Sequence, residues 1–317
     1  MALDNSSLAS CIKDEQDHFH HDLPIREIMN FFHSKFKNPE GIKAVILYGS
    51  GLWSGASADR IWDFHILVDK IQDNTQKLWP RIAGCILPPN VFYYEIPLQN
   101  KNFLRCKCNV MRHDQFSSHA KGYCLTPHIW ARFSQPCQIL HISDKKTGDK
   151  VINDLASCTK QFIKKGLLFI PNRYASSQEI WITALRNTYS RELRSEGPER
   201  AKEIYKANQE LFDKRLKALF KDKNTYLVYD KGQYKINLKR RFVKKTFSVL
   251  GRPFQKVGAF IRLLKSATTF ENATDYALEK TRRHSGIYIA PTEFQRKHPL
   301  IGGWSLLWRL WRKGAFR

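Results

Sequence analysis

Two hydrophobic periods alternate along the first half of the chain. From Ile25 to Phe36, Ile25, Ile28, Met29, Phe32 and Phe36 recur at helical spacing, which predicts an amphipathic helix. Ala44 to Leu47 is a buried-strand run that breaks into Tyr48-Gly49-Ser50-Gly51. A second run, Phe64 to Val68, follows and opens on Asp63. Val91 to Ile96 and Leu104 to Met111 predict two more strands, the first preceded by Pro88-Pro89-Asn90. Thr126 to Phe133 reads as a short helix with Pro127 at its first position, and Gln138 to His141 as a closing strand. His18, His20 and His21 read as a solvated helix entrance, with metal binding as the alternative.

Past Lys150 the pattern turns helical. Ile152 to Leu168, Gln178 to Ser190 and Pro198 to Leu219 are amphipathic segments, the first ended by Pro171. Tyr226 to Tyr229 and Gln233 to Ile236, joined by Asp230-Lys231-Gly232, predict a hairpin. Helices followed by a hairpin outline a winged-helix-like domain. From Phe242 to Phe270 apolar side chains alternate with Lys and Arg. The last stretch places Ile301, Trp304, Leu307, Trp308 and Trp311 on one stripe, with Arg309, Arg312, Lys313 and Arg317 around it. Tryptophans with flanking cations suit an interfacial helix on an anionic membrane, and a helix packed on its own domain is the alternative.

Composition sharpens this division. At 317 residues and 42% hydrophobic content, the chain suits two or three globular domains. No apolar run approaches the ~20 residues of a membrane span. Met1 to His21 is mildly acidic, with Lys13 its only Lys or Arg, and reads as neither a secretory signal nor a transit peptide. Seven cysteines without a C-x-x-C pair read as reduced core thiols of a cytoplasmic protein, with Cys106 and Cys108 on one strand face. The net charge of +24 is uneven. Residues 1–150 hold 18 Lys and Arg against 15 Asp and Glu, whereas residues 231–317 hold 20 against 4. The cationic tail calls for a polyanionic partner, a membrane surface before nucleic acid.

Candidate chemistry centres on the Gly-Ser turn and Asp63. A Gly-Ser turn can bring backbone N–H groups and a hydroxyl against a triphosphate, since glycine permits close approach and unusual φ. A carboxylate on the adjacent strand can hold Mg²⁺ against the same phosphates. The bland alternative is an ordinary strand–turn–strand.

The order Tyr48-Gly49-Ser50-Gly51, Asp63-Phe64, Val68-Asp69, Val91-Phe92-Tyr93-Tyr94, Lys107, Ala131-Arg132, Gln135-Pro136 resembles the mitochondrial-type phosphatidate cytidylyltransferases. Tyr189-Ser190-Arg191-Glu192-Leu193-Arg194 is similar to a further motif of that family. The likeness covers roughly residues 40–235 and fades in the tail. It implies a polymerase-β-type nucleotidyltransferase domain (1–149), a mostly helical winged-helix-like domain (150–238) and a basic amphipathic membrane-associating region (239–317). It also implies conversion of CTP and phosphatidate to CDP-diacylglycerol and pyrophosphate with Mg²⁺, in phospholipid and cardiolipin biosynthesis. The expected location is cytoplasmic and peripheral on the inner face of the membrane in a bacterial member, or on the matrix side of the mitochondrial inner membrane in a eukaryote. Cys108-Asn109 after Lys107, Ala131 for glycine and Glu192 for aspartate depart from the family pattern.

Under this reading Tyr48, Gly49, Ser50 and Gly51 bind nucleotide, Asp63 holds Mg²⁺, and Lys107 and Arg132 meet the pyrophosphate or the lipid phosphate, with a solvated charge as the alternative for either cation. The superfamily's second carboxylate belongs two residues after the first, where His65 stands, and histidine suits Mg²⁺ poorly. Asp69 shares the strand parity but lies ~20 Å away along extended chain. Glu95, on a neighbouring strand, is the preferred second ligand, with a plain surface acid as the alternative. Trp304, Trp308, Arg309, Trp311, Arg312 and Lys313 are the expected membrane contacts. Two other classes stay open: a soluble nucleotidyltransferase acting on RNA, protein or a small polar acceptor, and an inactive nucleotide-binding relative that lost its metal site.

Overall fold

The computed structural model describes residues 6–18, 23–52, 60–74, 78–98, 103–124, 126–190, 198–222, 226–230, 232–238, 241–269, 278, 281, 286–287, 289–297 and 299–314. The fold is mixed α/β around a five-stranded mixed sheet. Helix α1 (Ser7–Asp14) and helix α2 (Ile25–Lys35) precede β1 (Ile42–Tyr48) and β2 (Ile61–Val68). Then come α3 (Leu78–Ile86), β3 (Asn90–Pro97), β4 (Phe103–Arg112), α4 (His113–Ala120), α5 (His128–Arg132) and β5 (Cys137–Ile142). The strand order is β3-β4-β2-β1-β5, with β2 and β4 parallel and the other neighbours antiparallel.

Strand parity divides the sheet's chemistry. One face carries Val45, Leu47, Phe64, Ile66, Cys108 and Val110, and α2 covers it with Ile28 and Phe32. Phe32 is fully buried against Phe64, so truncating it to alanine removes about 3–5 kcal/mol of stability. The other face carries Ala44, Ile46, Tyr48, Leu67 and Met111 beneath a helical layer. That layer is α6 (Lys145–Gly166), α7 (Ser177–Tyr189), α8 (Pro198–Ala207) and α9 (Gln209–Lys221). Its centre is Trp181, stacked 4.2 Å from Phe212 with its indole N–H donating to the Phe212 carbonyl at 3.1 Å. Asp144 caps α6, which therefore starts at Lys145, and the expected 149/150 boundary falls inside this helix.

The predicted third helical segment is two helices. Asn208 interrupts it, its side-chain amide donating to the Ile204 carbonyl at 3.0 Å in competition with the backbone ladder. The expected hairpin is β7 (Leu227–Asp230) with β8 (Gln233–Ile236), joined by the short β6 (Tyr174–Ala175). Among the helices of the sheet region, α1, α3 and α4 have no counterpart in the sequence reading. Each is 8 or 9 residues long, too short to announce itself by period, and α1 is held by burial of Leu8, Ala9 and Ile12. Glu15, just after α1, forms a buried ion pair with Arg215 of α9 at 2.6 Å, and Arg215 also donates to the Ser134 carbonyl at 2.8 Å. All seven cysteines are free thiols; Cys106 and Cys108 face each other at 3.7 Å.

The tail contains α10 (Arg241–Leu250), α11 (Arg252–Thr269), α12 (Glu293–Lys297) and α13 (Pro299–Arg312). Among the described residues no helix is long and apolar enough to cross a membrane. Helix α13 buries Leu306 and Leu310 against Leu278 and Ile289. Trp308 and Trp311 are 60% and 61% exposed and stack on each other at 5.3 Å, with Arg309, Arg312 and Lys313 exposed beside them. The side chains of Ile301, Trp304 and Leu307 lie outside the described residues.

Candidate functional site

The register of the sheet sets one row of side chains at its open end. Tyr48 of β1 pairs with Asp63 of β2, Asp63 with Lys107 of β4, and Lys107 with Tyr93 of β3. Opposed residues share a face. The Lys107 ammonium accordingly lies 3.7 Å from the Asp63 carboxylate. Chain reversal after β1 uses Gly49 at φ +89°, a conformation that costs an L-residue roughly 1–2 kcal/mol. A Cβ at Gly49 would stand 3.3 Å from the Asp63 Oδ2, so glycine also gives room beside the carboxylate.

These groups line a cavity of about 200 Å³ at the junction of the sheet with the helical layer. Tyr48, Gly49, Ser50, Asp63 and Lys107 come from the strands, and Arg132, Gln135 and Pro136 from α5 and the turn after it. The helical layer closes the cavity with Thr188 and Tyr189 at the end of α7 and Arg200 on α8. The Arg132 guanidinium sits 5.5 Å over the Tyr48 ring, and the Tyr48 hydroxyl accepts from the Asn109 amide. Burial, then the nearby Asp63 charge, raise the Tyr48 phenol well above its ordinary range, so it remains protonated. Three cations thus face one carboxylate, a charge balance that suits a polyanion.

The predicted site residues divide cleanly. Tyr48, Gly49, Ser50, Asp63, Lys107 and Arg132 meet in this cavity. Gly51 does not line it; a Cβ there would stand 2.9 Å from the Trp62 ring. Glu95 is elsewhere. Its register partner is Arg105, which pairs with Ile61, one step beyond the Asp63 row and two strands over. Its carboxylate lies 3.5 Å from Arg105 and accepts from the Tyr93 hydroxyl at 3.2 Å. The structure does not bring Glu95 into the Asp63 cavity: cross-strand pairing at the surface holds this acid.

His65 is on the same face as Asp63, one step inward. It is buried among Tyr48, Phe116 and Phe133, with ring centroids 5.0–6.3 Å apart. Burial, then Arg132, push its pKa down to about 3, and the ring is neutral at neutral pH. Asp69 is exposed past the far end of β2, where its N–H donates to the Gly41 carbonyl. Among the described residues no group of three or more His, Cys, Asp or Glu could hold a metal. Asp63, the one carboxylate among the described residues of the lining, would give a divalent ion a single protein ligand and leave the rest to a bound anion and water.

Sequence reasoning missed Arg200 and Thr188. Arg200 lies in the first turn of a Lys- and Glu-rich helix and pairs with Glu203 at 2.9 Å, so nothing in its spacing sets it apart from a solvated charge. Of the motif beginning at Tyr189, residues 191–194 lie outside the described residues. No known family model matches this chain, and no curated protein gives a significant sequence match.

Proposed function

We propose that this protein is a nucleotidyltransferase of the polymerase-β type, with the Gly49-Ser50 turn and Asp63 as its phosphate- and metal-binding elements. Within that class we infer a CTP:phosphatidate cytidylyltransferase that acts on lipid at an anionic membrane surface. One observation carries the class: Gly49, Ser50, Asp63, Lys107 and Arg132, dispersed over more than eighty residues, line a single cavity. The lipid acceptor rests on the sequence resemblance and on the exposed Trp308 and Trp311 beside Arg309, Arg312 and Lys313.

The acceptor in this reading is a phosphate monoester, already ionised at neutral pH, so no general base is needed. A phosphate oxygen of the lipid forms a bond to the α-phosphorus of CTP as the bond to pyrophosphate breaks. Gly49 leaves its backbone open to the β- and γ-phosphates, and Ser50 adds a hydroxyl. Lys107 and Arg132 offset the charge that gathers on the leaving pyrophosphate and hold the acceptor phosphate in line. Asp63 would hold Mg²⁺, which when bound neutralises phosphate charge. Tyr48, kept protonated and held by Asn109, gives the Arg132 guanidinium a fixed aromatic platform.

The test is pyrophosphate release from each of the four nucleoside triphosphates, with and without phosphatidate vesicles. Release from CTP that depends on phosphatidate is the expected result. Release with an RNA or small polar acceptor, and not with lipid, would move the protein to the soluble nucleotidyltransferases. No release with any acceptor would support an inactive relative.

A further inference from the structure

A second cavity, of about 430 Å³, lies on the other side of α5. Ala131 and Arg132 of that short helix face the candidate catalytic cavity, whereas Pro127 and Trp130 line the second one. Its apolar walls are Trp130, Leu168, Leu238 and Phe247. Its cations are Lys164 and Lys165 from the last turn of α6 and Lys244 from α10, all exposed. No carboxylate lines it among the described residues. Burial pushes the Cys124 thiol on its wall up to about 11, so that group adds no negative charge.

The cavity is built rather than incidental. Its volume is in the range of small-molecule sites. Helix α10 and the start of α11 are fixed beside it, since Lys245 of α10 and Arg252 of α11 lie 5.9 and 5.2 Å over the Phe169 ring, and Arg252 donates to the Asn187 side chain at 3.2 Å. Phe247 is shared between the cavity and the protein surface, where it is 72% exposed. There it belongs to a line of exposed apolar side chains, Val243, Phe247, Leu250, Phe254, Val257 and Ile261, spaced four and three residues apart. Residues 241–269 hold seven Lys and Arg and no Asp or Glu. A second copy of the chain would meet like charge on this face; an anionic lipid surface meets its complement.

We propose that this cavity is a binding site for one anionic glycerophospholipid, separate from the catalytic cavity. Lys164, Lys165 and Lys244 take its phosphate, and Trp130, Leu168, Leu238 and Phe247 take the start of an acyl chain entering from the bilayer. The site goes beyond the catalytic reading, because it needs no nucleotide and shares no lining residue with the first cavity.

The test is calorimetric titration of the full chain, without nucleotide, with monomeric dihexanoyl phosphatidylglycerol. Dihexanoyl phosphatidylcholine, glycerol 3-phosphate and a single-stranded oligonucleotide are titrated in parallel. The anionic lipid should saturate one site, and the other three probes should bind it about tenfold more weakly or worse. Two variants act on different halves of the site. Ser248→Trp fills the cavity from α10 while keeping every lysine, and the triple change Lys164→Gln, Lys165→Gln, Lys244→Gln keeps the shape while removing the charge. Each should weaken lipid binding about tenfold or more, with its melting curve confirming the fold, and if one variant fails to fold the other carries the test. Lys107→Gln, which removes a cation that the catalytic reading gives to the acceptor phosphate, should leave the titration unchanged, which separates this proposal from the catalytic one. Glycerol 3-phosphate binding as tightly as the lipid would reduce the site to a phosphate site and overturn the proposal. Unchanged lipid binding in folded Ser248→Trp would overturn it in favour of the helix surface. Tighter oligonucleotide binding, lost in the triple variant, would overturn it in favour of nucleic acid.

Discussion

Two neighbouring rows on one sheet face behave oppositely. The outer row, Tyr48 with Asp63 and Lys107, borders a polar cavity where one carboxylate faces three cations. In the next row inward, His65 and Asn109 are register partners and both are buried, His65 among aromatic rings. Two residues of strand separate a group available to substrate from one committed to packing. A site on this face is therefore one row deep. Among the described residues it has a single carboxylate, so a divalent ion there would draw most of its ligands from a bound anion or water.

The sharpest way to break this comparison is Asp63→Asn beside Glu95→Gln. On the proposed reading, Asp63→Asn should lower cytidylyl transfer by about three orders of magnitude or more in a folded protein, the scale of a charged group lost from a phosphoryl-transfer centre. Glu95→Gln should change it less than about twofold, since that acid sits outside the cavity on Arg105. Steady-state pyrophosphate release measures both, and a large loss in Glu95→Gln would reopen the second metal ligand. Gly49→Ala tests the outer row through its backbone. Left-handed strain should cost about 1–2 kcal/mol in urea unfolding, and the new Cβ should crowd Asp63 Oδ2 and raise the KM for nucleotide.

The inner row is tested by pH. His65 has a folded pKa near 3 and an unfolded one near 6.5, so the unfolded chain takes up the proton first. Its contribution is full above about pH 6.5 and falls as the pH drops toward 3. The sign makes the native protein lose stability in acid relative to a folded His65→Gln variant, by up to ~1.4 kcal/mol per pH unit. Parallel slopes in urea unfolding from pH 7 to 4 would place His65 in a wetter setting than described. The smallest effect belongs to Ser50→Ala, which removes one neutral hydrogen bond of roughly 0.5–1.5 kcal/mol and should raise the KM for nucleotide by about tenfold at most.

The outer row was legible in the sequence because its signals are local. A strand that breaks into Gly49-Ser50, and a strand that opens on Asp63, can be seen without any partner. Lys107 and Arg132 came with the same motif order. The five strands were legible for a related reason: each is a run of apolar or β-branched residues bounded by turn residues. The place of Glu95 was hidden because register cannot be seen from one strand alone; pairing with Arg105 sets it a step beyond the Asp63 row. Arg200 was invisible because a helix that approaches the sheet from far along the chain leaves no mark on the spacing of its charges. In the tail, the stripe ending in Trp308 and Trp311 was visible, but the buried Leu306 and Leu310 on the same helix were not, because their partners Leu278 and Ile289 are distant in sequence.

The buried pair of Glu15 with Arg215 bears on how this protein is made. Two hundred residues separate the partners, and Arg215 also holds the Ser134 carbonyl next to α5. During synthesis, α1 and the turn after α5 must wait for α9 to leave the ribosome before either is fully tied down. A sheet fragment released before residue 215 would keep a carboxylate with no counter-charge at a position meant to be dry, a defect of about 3–5 kcal/mol. Nascent chains of that length are thus the ones a chaperone would meet, and splitting the gene between sheet and helical layer should give two aggregating halves rather than two domains.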